Sequence, residues 1–243
     1  MAKVRGLSPW QEEKRYVQAL VLHALRGEPL VCKGGTYLWL FHGLDRFSED
    51  LDFSARGQIG PKIATVCTDT LGLFGVESSF RPVKDDAYTY SFRLDSRGPL
   101  YVGEPDVCRV RVDISRREGV VQRPLTVRLD EPQYLVPIDL VNGMTLEEVL
   151  AEKTRALLRR KALRDLYDAW YLLKRKKTVP DWELISRKLT FYGQRFSSSG
   201  LARSIEVAGE NWEKELGSIV FGAILPYAEV RADVLRLMEP LGE

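Results

Sequence analysis

Apolar residues recur at helical spacing close to the start of the chain. Ser8-Pro9 followed by Gln11 resembles a helix N-cap with proline at the first helical position. The apolar positions that follow are three or four residues apart, as on one face of a helix: Val17, Leu20, Val21, Ala24 and Leu25. We therefore predict a first helix that ends at Gly27.

The next segment changes its period twice. Residues 30–32 form a short apolar run before Gly34-Gly35, and residues 36–44 then read as a second helix. Residues 51–53 alternate apolar and acidic side chains, which is the period of a strand with one buried face. The predicted order is helix, strand, glycine turn, helix, strand.

Further strand and helix patterns complete this half of the chain. We predict a helix over residues 59–74 and strands over residues 88–94, 107–115 and 134–138. This order predicts an α+β fold with a mainly antiparallel or mixed sheet flanked by helices.

The pattern becomes purely helical from Thr145 onward. Residues 146–176 contain neither glycine nor proline, and Thr145 with Glu148 forms a capping box in front of them. Helical spacing continues at residues 182–189 and beyond Leu201, whereas residues 197–200 read as a loop. We predict two domains, a catalytic domain over residues 1–143 and a helical domain over residues 144–243 that completes the site.

The amino-acid composition excludes only a few classes of protein. The chain has 243 residues and a net charge of +2, so no global charge points to nucleic acid or membrane. The three cysteines are widely spaced within apolar stretches, which favours buried free thiols in a reducing compartment over disulfides or a zinc site. No run of about 20 apolar residues is present, and we expect a cytoplasmic protein without a membrane span.

Candidate chemistry is concentrated between residues 33 and 54. Asp50 and Asp52 are two residues apart in a predicted strand, which places both carboxylates on one face, about 6.5–7 Å apart by Cα. Carboxylates at this separation can share divalent metal ions in a phosphoryl displacement. Gly34-Gly35 before a helix exposes backbone amides to an anion. Each feature alone is usually structural, a turn or a solvated strand edge, and their combined placement favours a site.

The whole arrangement resembles the polymerase-β-type nucleotidyltransferases, and in detail the AbiEii/AbiGii toxin family. The matching residues are Gly34-Gly35-Thr36-x-Leu38, followed by Arg46-Phe47-Ser48-x-Asp50-Leu51-Asp52-Phe53-Ser54. The resemblance implies that Gly34, Gly35 and Thr36 bind nucleotide phosphates and that Asp50 and Asp52 bind Mg²⁺ or Mn²⁺. It also implies transfer of NMP from an NTP to a hydroxyl by a toxin with a cognate antitoxin; because some relatives add nucleotides to the 3′ end of tRNA, we expect that acceptor.

A third carboxylate fits the same cluster. In residues 107–115 the apolar side chains share one face, while Arg109, Arg111 and Asp113 share the other. The resemblance implies that Asp113 binds metal or takes the proton from the acceptor hydroxyl. From the residues alone, Asp113 is equally a polar residue on an exposed strand face.

The helical half contributes Lys153 and an acidic partner. Lys153 falls on the apolar stripe of its helix, and a lysine placed inward needs an anion, unless it snorkels to solvent. The resemblance implies that Lys153 meets the triphosphate and that Asp165 or Asp168 follows. If the helix is continuous, its phase puts Arg164 and Asp168 on the side of Lys153 and leaves Asp165 as a surface partner of Lys161. We therefore assign Asp168 as the functional acid.

Other readings remain open at this stage. The same donor site serves transfer to a protein or small-molecule hydroxyl, and a noncatalytic module binding RNA or an antitoxin is an alternative of another class. Ser48 lies two residues before Asp50, so its phosphorylation would add charge beside the metal site if the strand extends that far. Neither His23 nor His42 is assigned a catalytic role.

Overall fold

The computed structural model describes residues 6–117, 119–160, 162–206 and 211–240. The chain divides into two compact units. Unit 1 comprises Met1–Gly43 and Phe47–Met144, and unit 2 comprises Leu44–Arg46 and Thr145–Glu243.

Unit 1 contains one mixed sheet, which has seven strands among the described residues. The strands are β1 (Leu30–Lys33), β2 (Leu51–Ala55), β3 (Glu77–Asp85), β4 (Thr89–Arg97), β5 (Cys108–Ser115), β6 (Leu125–Leu129) and β7 (Asp139–Gly143). Their order across the sheet is β3-β4-β5-β2-β1-β7-β6. Strand β2 runs parallel to β5 and antiparallel to β1, while β1 runs parallel to β7. The predicted α+β fold with a mixed sheet is confirmed.

The helices of unit 1 are α1 (Pro9–Leu25), α2 (Gly34–His42) and α3 (Lys62–Leu73). Helix α1 starts as predicted, because the Ser8 backbone amide donates to Oε1 of Gln11 at 2.9 Å. Its predicted end at Gly27 is two residues late. Helix α2 ends at His42 and is capped by Gly43, which adopts a left-handed conformation with φ 72°.

The strand predictions fail at the edges of the sheet. Residues 134–138 do not form a strand; β7 starts at Asp139 instead. Strands β3 and β6 were missed, and they are the two edge strands. Most side chains of β3 are exposed, so the strand lacks a buried face and its sequence lacks the alternation that marks one. It also contains Pro82, next to a register shift, as edge strands tolerate.

Unit 2 is helical in its described residues after Thr145. The helices are α4 (Leu146–Arg159), α5 (Leu163–Trp170), α6 (Trp182–Thr190), α7 (Ser198–Glu206), α8 (Trp212–Leu216) and α9 (Tyr227–Leu237), and a π-helical turn, Tyr171–Arg175, follows α5. The continuous helix predicted over residues 146–176 is wrong, because α4 ends at Arg159. The loop predicted over residues 197–200 is also wrong, because the Ser197 hydroxyl accepts from the Gly200 amide at 3.1 Å and α7 begins at Ser198.

The cysteines are placed as their sequence context predicts. Cys32, Cys67 and Cys108 are buried free thiols, as predicted. Across the described ranges, none of the helices combines the length and the apolar character that crossing a bilayer requires.

Candidate active site

Asp52 and Asp113 are brought together by the sheet. The two residues are direct register partners on the parallel strands β2 and β5. Neighbouring strands lie about 4.8 Å apart, so side chains at paired positions project from the same face side by side. On β5 the apolar residues Val110, Val112 and Ile114 are fully buried, as predicted from the alternation, which leaves Asp113 on the opposite face.

Gly34 is packed against Asp52 at the start of α2. Gly34 has a φ of +76°, a conformation that strongly favours glycine. A Cβ at this position would lie 3.0 Å from the Cβ and Cγ atoms of Asp52 and would overlap its Oδ2. Glycine is therefore required here both by the backbone and by the close approach of the carboxylate. The first turn of α2 brings its unpaired amides and the positive end of its dipole to this place.

The segment that precedes β2 is held in place by hydrogen bonds to three successive carbonyls. Gln18 is fully buried, and its Nε2 donates to the carbonyls of Ser48 and Glu49 at 3.0 and 2.8 Å. The Thr36 hydroxyl, also fully buried, donates to the carbonyl of Asp50 at 2.5 Å. These hydrogen bonds fix the backbone at Asp50 and so position its side chain. Thr36 thus acts on the protein backbone in this structure, and its predicted contact with phosphate stays a prediction.

The start of β2 corrects one premise about Ser48 and Asp50. The strand begins at Leu51, so Asp50 precedes it by one residue and Ser48 by three. The hypothesis that Ser48 shares a strand face with Asp50 required the strand to extend to Ser48, and this condition is not met. Asp50 remains close to the other acids, as its electrostatics show.

The acids of this cluster repel one another. The Asp50 side chain is exposed at its tip, yet partial desolvation by the surrounding protein, followed by the charges of Asp113 and Glu49, raises its pKa above the ordinary value. Lys14, which pairs with Glu49 at 2.7 Å, and Arg111 only partly offset this effect. The cluster thus holds an excess of negative charge that a cation would relieve.

Asp113 is already engaged by an arginine on its own strand. Nε of Arg111 lies 2.9 Å from Oδ2 of Asp113. In the portion of the chain that the structure describes, no three Asp, Glu, His or Cys side chains are grouped so that they could hold a metal ion as they stand. The backbones of Asp52 and Asp113 are adjacent in the sheet, but their carboxylate oxygens do not point toward a common metal position.

Unit 2 contains a separate, buried cluster of charges. Arg46 donates two hydrogen bonds to Asp168, from Nε to Oδ1 and from Nη2 to Oδ2, each 2.7 Å long. Lys153 lies between two carboxylates, with Nζ 2.8 Å from Oδ1 of Asp165 and 2.6 Å from Oδ2 of Asp168. Arg160 also donates to Asp165 at 2.8 Å. The expectation that inward-facing Lys153 has an anionic partner is met twice.

The charged state of this cluster is stabilised from both sides. Burial would raise the pKa of Asp165, but Lys153 and Arg160 outweigh it and lower that pKa to about 2. Burial likewise opposes the charge of Asp168, and Arg46 and Lys153 hold its pKa below the ordinary value. Paired and hydrogen-bonded in this way, the buried charges satisfy one another.

The choice between Asp165 and Asp168 by helical phase is overturned. The helix breaks between α4 and α5, and Asp165 is buried rather than on the surface, because the break turns it toward Lys153 and Arg160. Arg164, expected beside Lys153, is exposed. Lys161, the proposed partner of Asp165, lies outside the described residues. Asp168 is 0% exposed, so here it contacts Arg46 and Lys153, and its catalytic role stays a prediction.

Sequence reasoning missed two residues that organise these clusters. Gln18 looked like one polar residue on an amphipathic helix, and only the sheet reveals that it reaches the carbonyls before β2. Arg46 was part of the quoted motif but was given no role. Charge balance could have pointed to Arg46. If Asp165 and Asp168 are both buried, Lys153 alone cannot neutralise them, and a second cation is needed.

Comparison with known proteins identifies this combination of sheet, glycine turn and acids. The profile of the family described as "Nucleotidyl transferase AbiEii toxin, Type IV TA system" matches residues 15–234. The chain belongs to the AbiEii nucleotidyltransferase toxin family. The resemblance seen in the sequence is thereby confirmed, and the protein is a nucleotidyltransferase. Membership in a type IV toxin-antitoxin family implies an NTP substrate and an antitoxin partner.

Solved structures share the fold at low sequence identity. JHP933 from Helicobacter pylori is 18% identical with a TM-score of 0.69, covering 95% of this chain and 91% of that chain. A putative nucleotidyltransferase from H. pylori is 19% identical with a TM-score of 0.69, covering 95% and 94%. MenT4, a nucleotidyltransferase toxin from Mycobacterium tuberculosis H37Rv, is 20% identical with a TM-score of 0.64, covering 94% and 84%. None of the curated proteins compared with the chain matches it.

Proposed function

We propose that this AbiEii-family protein transfers a nucleoside monophosphate from an NTP to a hydroxyl of RNA, at the 3′ end of tRNA, with a divalent metal ion. The observation that carries the proposal is the register pairing of Asp52 with Asp113 beside Gly34 at the start of α2. It joins paired carboxylates to a helix N-terminus suited to phosphate, which are the two parts that NMP transfer requires.

The acidic cluster fits a hard divalent cation such as Mg²⁺ or Mn²⁺. Asp50, Asp52 and Asp113 offer carboxylate oxygens, and the pKa of Asp50 is raised by desolvation and then by the charges of Asp113 and Glu49, which a bound cation would offset. Few protein ligands are needed, because substrate phosphates complete the coordination of Mg²⁺. When bound, the metal would neutralise charge that develops on the transferred phosphoryl group. Asp52 and Asp113 would hold it first, since the sheet fixes their backbones side by side.

The chain's own groups divide the remaining work. The acceptor oxygen forms a bond to the α-phosphorus while the bond from that phosphorus to the bridging β-oxygen breaks, and pyrophosphate leaves. We assign the hydroxyl proton to the carboxylate of Asp113. The amides of Gly34 and Gly35 face the triphosphate, and Thr36 with Gln18 keeps Asp50 in position. Positioning and charge neutralisation carry such a reaction.

Lys153 and Asp168 are kept as proposed members of the catalytic machinery. Lys153 is 9% exposed and carries a charge that two carboxylates hold in place. If Lys153 contacts the triphosphate, Lys153→Met weakens NTP binding far more than Lys177→Met, which removes an exposed lysine of the same unit. Equal affinities, measured by competition with a fluorescent NTP, would assign Lys153 to the buried network alone.

The proposal is tested by following the α-phosphate. The protein is incubated with each NTP labelled at the α-phosphorus, MgCl₂ and total tRNA, and products are separated by denaturing electrophoresis. We expect label in tRNA, release of pyrophosphate, no label from γ-labelled NTP, and no transfer in EDTA or with Asp52→Asn. Label in protein or in a small molecule would reject RNA as the acceptor while keeping the reaction. Absence of label from every acceptor would reject the reaction itself.

A further inference from the structure

Unit 2 contains a polar pocket that belongs to neither charged cluster described above. It has a volume of about 410 Å³ and lies where the end of α4, the segment after α6 and the start of α7 meet. The polar side chains that line it are Gln194, Arg195, Ser197, Arg203 and Ser204. Its lining contains two arginines and no acidic residue.

The two arginines are not neutralised by any acid in the part of the chain that the structure describes. Within the described ranges, no carboxylate pairs with Arg195 or Arg203. Other arginines of this unit do have such partners, as Arg160 has with Asp165 and Arg236 with Asp233. Two unneutralised guanidinium groups in one concave site favour an anion with several acceptor oxygens, such as a phosphate group.

The start of α7 adds to the same preference. Helix α7 has nine residues and opens at Ser198, and the Ser197 hydroxyl that caps it also lines the pocket. The positive end of the helix dipole therefore lies at the pocket wall. Gln194 also lines the pocket, and its side-chain oxygen is buried without a hydrogen-bond partner among the residues described. An amide oxygen accepts hydrogen bonds, so a hydroxyl of the ligand, and not its phosphate, would satisfy it.

The surroundings favour a nucleic-acid strand over an isolated anion. Arg155 stacks on the ring of Tyr192 at 4.5 Å, and Arg159 lies 6.0 Å from the same ring. Phe191, three residues before Gln194, is 54% exposed and packs edge-on against Tyr192. Arg155 and Arg159 lie over the half-buried ring of Tyr192, and the neighbouring ring of Phe191 is the exposed one. Basic side chains near an exposed aromatic ring are the combination that binds single-stranded nucleic acid, through phosphate contacts and base stacking.

We propose that the pocket lined by Arg195 and Arg203 binds a backbone phosphate of the RNA acceptor and so positions that RNA on unit 2. This inference rests on the proposed function in taking RNA as the acceptor. The assignment is to a phosphate of the strand, away from the reacting nucleotide. Phosphate contacts of this kind position a strand and do not read its sequence.

The test compares two double variants that remove the same charge from unit 2. Arg195→Gln/Arg203→Gln changes the pocket, and Lys176→Gln/Lys177→Gln changes two exposed lysines elsewhere in that unit. Binding of end-labelled tRNA is measured by fluorescence anisotropy without NTP, over about 50 to 200 mM KCl. We expect the pocket variant to bind about 10-fold more weakly and to reduce the slope of log K against log salt by about one to two, while the lysine variant changes neither by half as much.

Several outcomes would overturn the pocket assignment. Equal losses in the two variants would indicate a general charge effect, and wild-type binding by the pocket variant would show that the RNA lies elsewhere. Polyglutamate that binds as tightly as tRNA and depends on Arg195 and Arg203 would indicate an acidic protein partner. Competition with a fluorescent NTP checks that the pocket variant keeps wild-type nucleotide affinity and is folded.

The pocket assignment and the proposed function can fail separately. Transfer to tRNA that is insensitive to the pocket variant, together with unchanged tRNA binding, rejects the pocket and keeps the function. Arginine-dependent tRNA binding without any transfer of label supports the pocket and rejects the reaction.

Discussion

Asp52 and Asp113 face each other as register partners on the parallel strands β2 and β5. They come from sequence segments that are far apart, and the crossover between β2 and β5 brings them together. Like charges at paired positions repel one another unless cations offset them, as Arg111 does for Asp113. We interpret the pair as part of the proposed metal site.

Replacing either member of this pair should abolish transfer without unfolding the protein. We expect Asp52→Asn and Asp113→Asn each to lower kcat/KM by at least about 10³-fold, equivalent to about 4 kcal/mol of transition-state stabilisation. The control is Asp69→Asn, which removes an exposed acid of the same unit. Transfer is measured with α-labelled NTP, and folding by thermal melting. Retained activity in both site variants would refute the carboxylate assignment.

Gly34 should be required for the position of Asp52, beyond its backbone conformation. Gly34 and Gly75 have nearly equal φ values of +76° and +74°, but a Cβ at Gly75 meets nothing within 4 Å. Alanine at either position costs about 1–2 kcal/mol of backbone strain. At Gly34 the contact of the new Cβ with Asp52 adds to that cost, so we expect Tm to fall in both variants and further in Gly34→Ala. Only Gly34→Ala displaces the Asp52 carboxylate, and we expect it alone to lower the transfer rate, by about 100-fold or more. Equal rates in the two variants would mean that Asp52 tolerates the displacement.

The Thr36 hydroxyl should act through the Asp50 carbonyl to which it donates. Thr36→Val keeps the shape but leaves a buried carbonyl unpaired, at a cost of about 1–3 kcal/mol. Thr36→Ser keeps the hydroxyl and loses a methyl group, at a cost of about 1 kcal/mol. We expect transfer to fall at least about 10-fold in Thr36→Val and to stay close to wild type in Thr36→Ser. Equal activity of the two variants would show that this hydrogen bond does not position Asp50.

The repulsion around Asp50 should be visible in stability without metal. Desolvation by the surrounding protein, followed by the charges of Asp113 and Glu49, raises the pKa of Asp50, so its charged form is disfavoured in the folded protein. Removing that charge with Asp50→Asn should therefore raise Tm in EDTA. Added Mg²⁺ should raise the Tm of the wild type more than that of Asp50→Asn, because a ligand of the native state stabilises it. An Asp50→Asn variant that melts below the wild type in EDTA would contradict this reading.

The buried cluster of unit 2 should make stability fall in acid. The pKa of Asp165 is lowered to about 2, below the unfolded value of about 3.9. Its stabilisation is therefore fully present above about pH 4 and is lost as pH falls toward 2. We expect Asp165→Asn to melt below the wild type at pH 7 and to show a weaker loss of Tm between about pH 4 and 2. Glu213→Gln, an exposed change in the same unit, should keep the wild-type profile. If Tm of Asp165→Asn fell as steeply as that of the wild type between about pH 4 and 2, the acid sensitivity would not come from Asp165.

The sequence by itself determined the features that depend on local patterns. The alternation in β5 predicted its buried face, Ser8 and Gln11 predicted the start of α1, and the segment from Gly34 to Ser54 identified the family that the profile match confirms. These predictions succeed because capping, strand alternation and a compact motif are each written within a few neighbouring residues. The edge strand β3 was missed for the converse reason, since a strand without a buried face has no alternation to read. Strand β6 was missed although its apolar residues Leu125, Val127 and Leu129 do alternate with polar ones.

Only the tertiary structure decided which side chains meet. The partnership of Asp52 with Asp113 depends on strand order, and the reach of Gln18 to the carbonyls before β2 depends on where α1 packs. The break between α4 and α5 buried Asp165 with Asp168, where helical phase had separated them. The run of basic residues from Arg159 to Lys161 is a local signal for a break in the helix. The sequence does not show that Asp165 then pairs with Lys153 and Arg160, because such charge pairs form only between groups that folding brings together.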